Sequence, residues 1–117
     1  MLPTQEARAW TERFGRDVDA FAPDLLWPEV TNALRRYVVA KSFSRADAHD
    51  ALDAARRLPI TLQSTFELAP ATLETALDYG LSAYDACYVA LAEVLEGVLV
   101  TADRRLAEAA PRAELIV

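Results

Sequence analysis

Three acidic residues of this 117-residue chain, Glu29, Asp85 and Asp103, occupy positions from which their carboxylates could share one cation. Glu29 and Asp85 each lie in the first turn of a predicted helix, and Glu29 follows a short predicted strand. Asp103 directly follows the apolar run Val98–Thr101, which is typical of a parallel strand covered on both faces. Clustered carboxylates either take up protons or hold a cation, and hard oxygen ligands favour Mg²⁺ or Mn²⁺.

The spacing of Asp85 and Asp103 predicts that they lie at the same end of the molecule. From Asp85 to Leu95 the predicted helix climbs about 15 Å, at about 1.5 Å per residue. From Gly97 to Ala102 the predicted strand returns by about 16 to 20 Å. Since these distances cancel, the acids are expected at the carboxyl ends of strands, where open α/β sheets bind ligands. A metal held there would activate water and bind a phosphate oxygen, which is the chemistry of phosphodiester hydrolysis.

Each acid also has a purely structural interpretation. Ser82-x-x-Asp85 matches a capping box, so Asp85 could simply cap its helix. Glu29 and Asp103 could be favoured by the positive end of a helix dipole. Against the first alternative, the neighbours of Asp85 are mostly apolar and no basic residue lies in its helix, so the carboxylate needs a partner.

Other reactive residues indicate no competing chemistry. The single histidine, His49, lies in a predicted polar helix without an evident partner, so no Ser-His-Asp arrangement is expected. The single cysteine, Cys87, lies in an apolar helix and is expected to be a core thiol. One cysteine forms no internal disulfide, which suits a reducing cytoplasm.

Predicted strands alternate with predicted helices, which indicates an α/β fold with a mostly parallel sheet flanked by helices. The predicted helices are Thr4–Phe14, Leu25–Ala40, Ser44–Leu58, a single turn at Thr65–Leu68, Pro70–Tyr79, Ser82–Leu95 and Asp103–Ala109. The predicted strands are Val18–Ala22, Ile60–Gln63, Val98–Thr101 and Glu114–Val117. The length suits one domain, because two domains of about 60 residues would each be marginally stable.

The overall charge is unfavourable for nucleic-acid binding. Twelve Lys and Arg residues against 18 Asp and Glu residues give a net charge of −6, which repels polyanions. Chemistry on nucleic acid would therefore need a local basic patch or a metal ion. No apolar run reaches the roughly 18 residues that span a bilayer, and the polar first ten residues do not indicate a signal peptide.

Three segments resemble, in order and spacing, the acidic motifs of PIN-domain ribonucleases of the VapC toxin type. They are LLWPEVTNAL at 25–34, LSAYDACYVALA at 81–92 and VLVTADRRL at 98–106. The resemblance covers essentially the whole chain and implies a three-layer PIN-like fold. It also implies a cytoplasmic, Mg²⁺-dependent endoribonuclease that acts as the toxin of a toxin–antitoxin pair, with an RNA substrate, an antitoxin partner and a homodimeric state.

The resemblance also implies roles for individual residues. Glu29, Asp85 and Asp103 would line the metal site, and Asn32 and Thr101 would support it as hydrogen-bonding groups. Three arginines near these acids are candidates for guiding the phosphate backbone, although they could equally be solvated surface charges. Arg36 lies two helical turns beyond Glu29 on the same face, and the others adjoin Asp103; the set is Arg36, Arg104 and Arg105.

The chain departs from the family at its beginning. Family members open with an apolar strand that ends in Asp, roughly Val-Val-Asp-Ala-Ser, whereas this chain starts at Met1-Leu2-Pro3-Thr4. The expectation is a single domain of residues 1–117 without the first strand and its acid, and with weakened metal binding. Closing the gap would bring the strand at Val98 against the strand at Val18. Two explanations stay open: a misassigned or truncated start, or a non-catalytic remnant that still binds an antitoxin or a sister subunit.

Overall fold

Helices and short strands alternate along the chain in the computed structural model, which describes residues 19–101, 104–110 and 113–115. The predicted α/β class is confirmed, and the predicted helix Thr4–Phe14 lies outside the described residues. In chain order the elements are β1 (Ala20–Pro23), α1 (Leu26–Val39), α2 (Arg45–Arg56), β2 (Ile60–Gln63), α3 (Thr65–Tyr79), α4 (Ala83–Val94), β3 (Leu99–Thr101), α5 (Arg104–Ala109) and β4 (Ala113–Leu115).

Capping residues begin and end several helices where the sequence predicts. Ser44 and Asp47 form a complete capping box at the start of α2: Ser44 Oγ accepts from the Asp47 N–H at 3.0 Å, and Asp47 Oδ2 accepts from the Ser44 N–H at 3.0 Å. The pKa of the Asp47 carboxyl is lowered, mainly by the hydrogen bond that it accepts from the Ser44 backbone N–H and secondly by hydrogen bonding with the Ser44 side chain. At the end of α3, Gly80 has a φ of 64°, which glycine adopts without steric cost.

The prediction of two segments, Thr65–Leu68 and Pro70–Tyr79, is wrong, because α3 runs unbroken through Pro70. Proline removes one helical hydrogen bond and was expected to separate the segments. One side of α3 is nevertheless buried both before and after the proline, and this burial favours a continuous helix. The buried residues of α3 are Leu68, Thr72 and Thr75.

The start of α3 is held by two side chains. Ser64 Oγ accepts from the backbone N–H of Glu67 at 3.3 Å, and Asp24 Oδ1 accepts from the N–H of Thr65 at 3.3 Å. Asp24 follows β1, and its own N–H donates to the carbonyl of Gln63 at the end of β2, at 2.8 Å. The carboxyl ends of β1 and β2 therefore lie together, beside the first turn of α3.

The described strands form two separate two-stranded sheets, β1 with β2 and β3 with β4. β3 and β4 are parallel, with Leu99 opposite Ala113 and Thr101 opposite Leu115. Among the described strands, the expected pairing of the strand at Val98 with the strand at Val18 is not formed; β3 pairs with β4, and β1 pairs with β2. Each strand instead pairs with a partner that a helical connection brings alongside it.

Contacts divide the chain into two compact units, and α1 and α2 belong to the first, which contains Leu26–Ile60. α1 packs on α2. The buried apolar side chains of this helix pair are Leu34 on α1 and Ala51 on α2. The turn between the helices folds back on α1, where the rings of Tyr37 and Phe43 lie 5.4 Å apart. That both units form one domain of residues 1–117 remains a prediction.

The second unit contains Phe21–Leu25 and the chain from Thr61 onward. Its centre is the helical pair α3 and α4, and Val89 of α4 packs with Leu99 and Leu106 in an apolar cluster. Burying each such side chain contributes about 1.5 to 3 kcal/mol. α4 has only 12 residues, and no helix in the described ranges is long and apolar enough to cross a membrane.

Candidate active site

Asp85 lies in the first turn of α4, as the sequence predicts. The helix is capped by Ser82, whose Oγ accepts from the Asp85 N–H at 3.2 Å. The reciprocal bond, in which the N-cap backbone N–H donates to the carboxylate, completes the capping box at Ser44 and Asp47 but is not formed between Ser82 and Asp85. The capping interpretation therefore accounts for the serine and for the backbone of Asp85, but not for its carboxylate.

The surroundings of Asp85 are partly apolar. The residue is half-buried, next to Ala86, which is fully buried, and Cys87. Its carboxylate accepts no hydrogen bond from the part of the chain that the structure describes. Tyr84, expected to add to the apolar surroundings, is 66% exposed, because the start of α4 has one face open to solvent. A half-buried carboxylate without a donor favours a cation as its partner.

Cys87 serves the helix rather than chemistry. Its side chain is buried, and its Sγ–H donates to the carbonyl of Tyr84 at 3.0 Å. This arrangement agrees with the expected small core thiol. His49 is exposed on α2, as expected for a solvated histidine.

Glu29, Asn32 and Arg36 share the exposed side of α1. Their spacing of three and four residues places them along one face of the helix, with Glu29 in the first turn. The Asn32 side chain is engaged locally, because its Oδ1 accepts from Arg35 Nε at 3.2 Å. This bond uses one of the two lone pairs of the amide oxygen, so the Asn32 side chain keeps one acceptor position and two N–H donors.

The third acidic position, Asp103, lies outside the described residues. The elements on either side of it are described: β3 ends at Thr101, whose backbone is opposite Leu115, and α5 begins at Arg104. Arg104 and Arg105 are both exposed, as a contact with a polyanion would require.

The gathering of the three acids around one ion stays a prediction. Glu29 belongs to the first compact unit and Asp85 to the second, so the structure describes each acid within its own unit. Among the described residues, no three His, Cys, Asp or Glu side chains form a group that could hold a metal. This statement does not cover groups that include Asp103, because Asp103 is not among the described residues.

Asp24 is a residue whose role sequence reasoning missed. It joins the end of β1 to β2 and to the start of α3 through the hydrogen bonds to Gln63 and Thr65. No local signal marks this role, because Thr65, whose N–H the carboxylate accepts, is 41 residues further along the chain. Asp24 therefore positions β1, β2 and α3, and its contacts with described residues indicate no catalytic role.

Comparison with known proteins gives matches to ribonucleases of one family. The sequence model of the PIN domain matches residues 3–111 of this chain. Ribonuclease VapC1 of Mycobacterium tuberculosis is 42% identical over 90 residues, which cover 75% of this chain and 65% of the relative. VapC ribonuclease Mb0985 of Mycobacterium bovis is 42% identical over 86 residues, which cover 74% and 66%. Ribonuclease VapC3 of Pyrobaculum aerophilum is 44% identical over 52 residues, which cover 44% and 40%.

The chain spans about two thirds of the length of the mycobacterial relatives. The matched range 3–111 contains all three acidic motifs, so the resemblance inferred from them is confirmed. The helix-rich architecture with a parallel strand pair agrees with this assignment. On the extent of the match, this chain belongs to the PIN domain family.

Proposed function

We propose that this chain is a metal-dependent endoribonuclease that hydrolyses RNA phosphodiester bonds, as the toxin of a toxin–antitoxin pair. The observation that carries the proposal is the PIN domain match over residues 3–111, together with 42% identity to proteins named as ribonucleases. The half-buried Asp85 carboxylate, which has no hydrogen-bond donor in the described part of the chain, supports it independently.

The proposed metal ligands are Glu29, Asp85 and Asp103. Their donor atoms are all carboxylate oxygens, which fit Mg²⁺ or Mn²⁺ better than softer metals. When bound, such an ion polarises a phosphate oxygen and lowers the pKa of a coordinated water. The strongest support for a bound cation comes from Asp85, because a cation stabilises a half-buried carboxylate that has no hydrogen-bond donor.

The remaining proposed roles concern binding and orientation. Asn32 and Thr101 are proposed to orient groups at the metal site through their amide and hydroxyl. The exposed arginines are proposed to guide the phosphate backbone past the site, since a guanidinium binds phosphate in a bidentate manner. Arg36 lies about 10 Å from Glu29 along α1, at about 1.5 Å per residue. The set comprises Arg36, Arg104 and Arg105.

The proposed homodimer is supported by an apolar stripe on α3, formed by Phe66, Leu73 and Leu77. These side chains are 88%, 60% and 70% exposed and lie on one side of the helix, opposite its buried side. Their exposed area is roughly 400 Å², taking about 150 to 250 Å² for a whole aromatic side chain. That is about half of the roughly 800 Å² that each partner buries in a standard interface.

Charges beside the stripe restrict how two copies could pair through it. At about 100° per residue, the acids Glu67, Glu74 and Asp78 all lie along one edge of the stripe, and Ala69 and Ala76 along the other. An antiparallel two-fold pair would place the two acidic edges together. We therefore propose a two-fold pair in which the two α3 helices are parallel, so that each acidic edge faces the alanine edge of the other copy.

A cytoplasmic antitoxin protein is the second proposed partner. Its support is the similarity to VapC ribonucleases, and a cytoplasmic location suits a chain whose single cysteine forms no internal disulfide.

The activity is tested with purified chain and single-stranded RNA, with Mg²⁺ and with EDTA. Asp85→Asn and Asp103→Asn are expected to reduce the cleavage rate at least 100-fold, because each removes a charged ligand. Asp53→Asn is the matched control, since Asp53 is an exposed acid on α2 and its change is expected to leave the rate within a factor of two. Equal cleavage by all three variants would refute the proposed roles of Asp85 and Asp103. A folded chain that binds an antitoxin but cleaves no RNA would support the non-catalytic alternative.

A further inference from the structure

The turn between α1 and α2 is the densest positive region of the described chain. Residues 35–45 contain four basic residues and no acid, in a chain whose net charge is −6. All four are exposed, and they are Arg35, Arg36, Lys41 and Arg45. We call this segment, residues 35–45, the basic turn.

The basic turn is held in one backbone conformation. The N–H of Lys41 donates to the Val38 carbonyl at 3.0 Å, and the N–H of Ser42 donates to the Tyr37 carbonyl at 2.9 Å. This pair of hydrogen bonds is the Schellman motif, which satisfies the last carbonyls of a helix. The contact between the rings of Tyr37 and Phe43 fixes the turn further. The cations therefore project from a rigid support, which lowers the entropic cost of binding a ligand.

Two of the cations stand where local energetics disfavour them. Lys41 has a φ of 62° at the position after α1 where glycine is favoured; the left-handed conformation costs a non-glycine residue about 1 kcal/mol or more. Arg45 is the first residue of α2, where the helix dipole disfavours a cation. Solvation would stabilise a surface charge at many other positions, so it does not explain why these two positions carry basic residues.

Three of the four cations also have no acidic partner among the residues that the structure describes. Within the described part of the chain, Arg36, Lys41 and Arg45 form no ion pair, although the chain has six more acids than bases. The remaining cation, Arg35, donates from its Nε to Asn32 Oδ1 at 3.2 Å. An anionic ligand would account for both the placement and the lack of partners.

We propose that the basic turn binds the phosphate backbone of single-stranded RNA, with Lys41 and Arg45 as contact residues that extend the path beyond Arg36. This inference rests on the proposed function, because the same exposed side of α1 carries Glu29. From Glu29 to the end of α1 is about 15 Å, which corresponds to about four stacked nucleotides at about 3.4 Å each. The turn thus holds the RNA several nucleotides from the cleaved bond.

RNA explains the turn better than an acidic peptide does. Its charges repeat at regular spacing along the strand, so a row of cations from Arg36 through Lys41 to Arg45 can each take one phosphate. The arginines offer planar, bidentate donors for phosphate oxygens. An acidic peptide remains a distinct outcome of the test.

The test measures binding of a fluorescein-labelled 12-nucleotide RNA by anisotropy, in EDTA so that cleavage does not contribute, over a series of salt concentrations. The double variant Lys41→Gln/Arg45→Gln removes two proposed phosphate contacts. Its log–log salt slope is expected to be about 1.4 smaller than that of the unchanged chain, at about 0.7 per contact, which is about 25-fold in affinity at 0.1 M salt.

The matched control is Arg56→Gln/Arg57→Gln. It removes the same net charge from two exposed arginines at the other end of α2, so a long-range charge effect would appear equally in both variants. We expect the control to change the affinity less than threefold. Circular dichroism checks that both variants keep the helical content of the chain.

The proposal is overturned if the double variant keeps the salt slope of the unchanged chain, if both variants lose affinity equally, or if the unchanged chain binds no RNA. It is also overturned if the double variant keeps RNA binding but loses binding of a poly-glutamate peptide, since the turn would then be a protein-docking surface. RNA binding that depends on Lys41 and Arg45 in a chain that cleaves nothing would support this inference while the proposed activity fails.

Discussion

Removing the carboxylate charge of Asp85 should separate its catalytic role from a capping role. The capping box at Ser44 and Asp47 is complete, whereas at Ser82 only the bond from the Asp85 backbone is made. Asp85→Asn keeps that backbone bond. We therefore predict a change in the free energy of unfolding of less than about 0.5 kcal/mol, the usual range for a substitution that breaks no cap, cavity or buried network.

Two companion variants calibrate this expectation. Ser82→Ala removes the cap itself and is expected to cost about 1 kcal/mol. Asp47→Asn weakens a complete capping box, so it is expected to destabilise α2. Because the pKa of Asp47 is lowered in the folded chain, its contribution is present above the reference value of 3.8 and is lost as the pH falls through the folded pKa. The Asn variant should lose that acid-side dependence.

The assay combines urea unfolding, followed by circular dichroism, with the rate of RNA cleavage in Mg²⁺. For Asp85→Asn we predict near-normal stability and at least a 100-fold loss of rate, which corresponds to about 2.7 kcal/mol of transition-state stabilisation. A variant that loses about 1 kcal/mol of stability while it cleaves RNA normally would show that Asp85 is only a capping residue. The reasoning from the missing reciprocal hydrogen bond would then be wrong.

Three further predictions test other features. Leu73→Ser with Leu77→Ser should convert a dimer into a monomer in analytical ultracentrifugation, and an unchanged sedimentation coefficient would place the interface elsewhere. Lys41→Gly should raise the free energy of unfolding by up to about 1 kcal/mol, because glycine adopts the left-handed conformation without steric cost; equal or lower stability in urea would contradict this. The hydrogen bond to Glu93 raises the pKa of Tyr79 above 10.0, so that bond stabilises the fold below pH 10 and is lost as the pH rises through the folded pKa. Tyr79→Phe should lose this dependence in unfolding midpoints measured from about pH 8 to 11, and an unchanged alkaline profile would argue against it.

Local chemistry allowed much of the fold to be predicted. The capping box at Ser44 and Asp47, glycine after α3 and proline in the first turn of α1 each act within a few residues. Such signals need no knowledge of the rest of the chain. The helix and strand bounds they predict agree closely with the structure.

The errors have non-local causes. Pro70 was expected to begin a helix separate from the turn at Thr65–Leu68, but burial of the side of α3 that faces α4 favours one continuous helix. That burial depends on the partner helix. The pairing of β3 with β4 rather than with β1 depends on which strands the connections bring together. Neither effect is encoded in a short window of sequence.

At the candidate site, too, the sequence predicts local features better than long-range ones. The positions of Glu29 and Asp85 in the first turns of their helices are confirmed, because capping and helical periodicity are local. The common metal site stays a prediction, since it requires three segments to meet and one of its acids, Asp103, lies outside the described residues.

The most direct measurement of the central claim is the location of Mn²⁺ in crystals of the chain by anomalous diffraction. We predict one ion held by carboxylate oxygens of Asp85 and Asp103, at about 2.1 Å for a Mg²⁺-type site, with Glu29 bound to the ion or to one of its waters. An ion bound elsewhere, or carboxylates of these three residues too far apart to share it, would contradict the account.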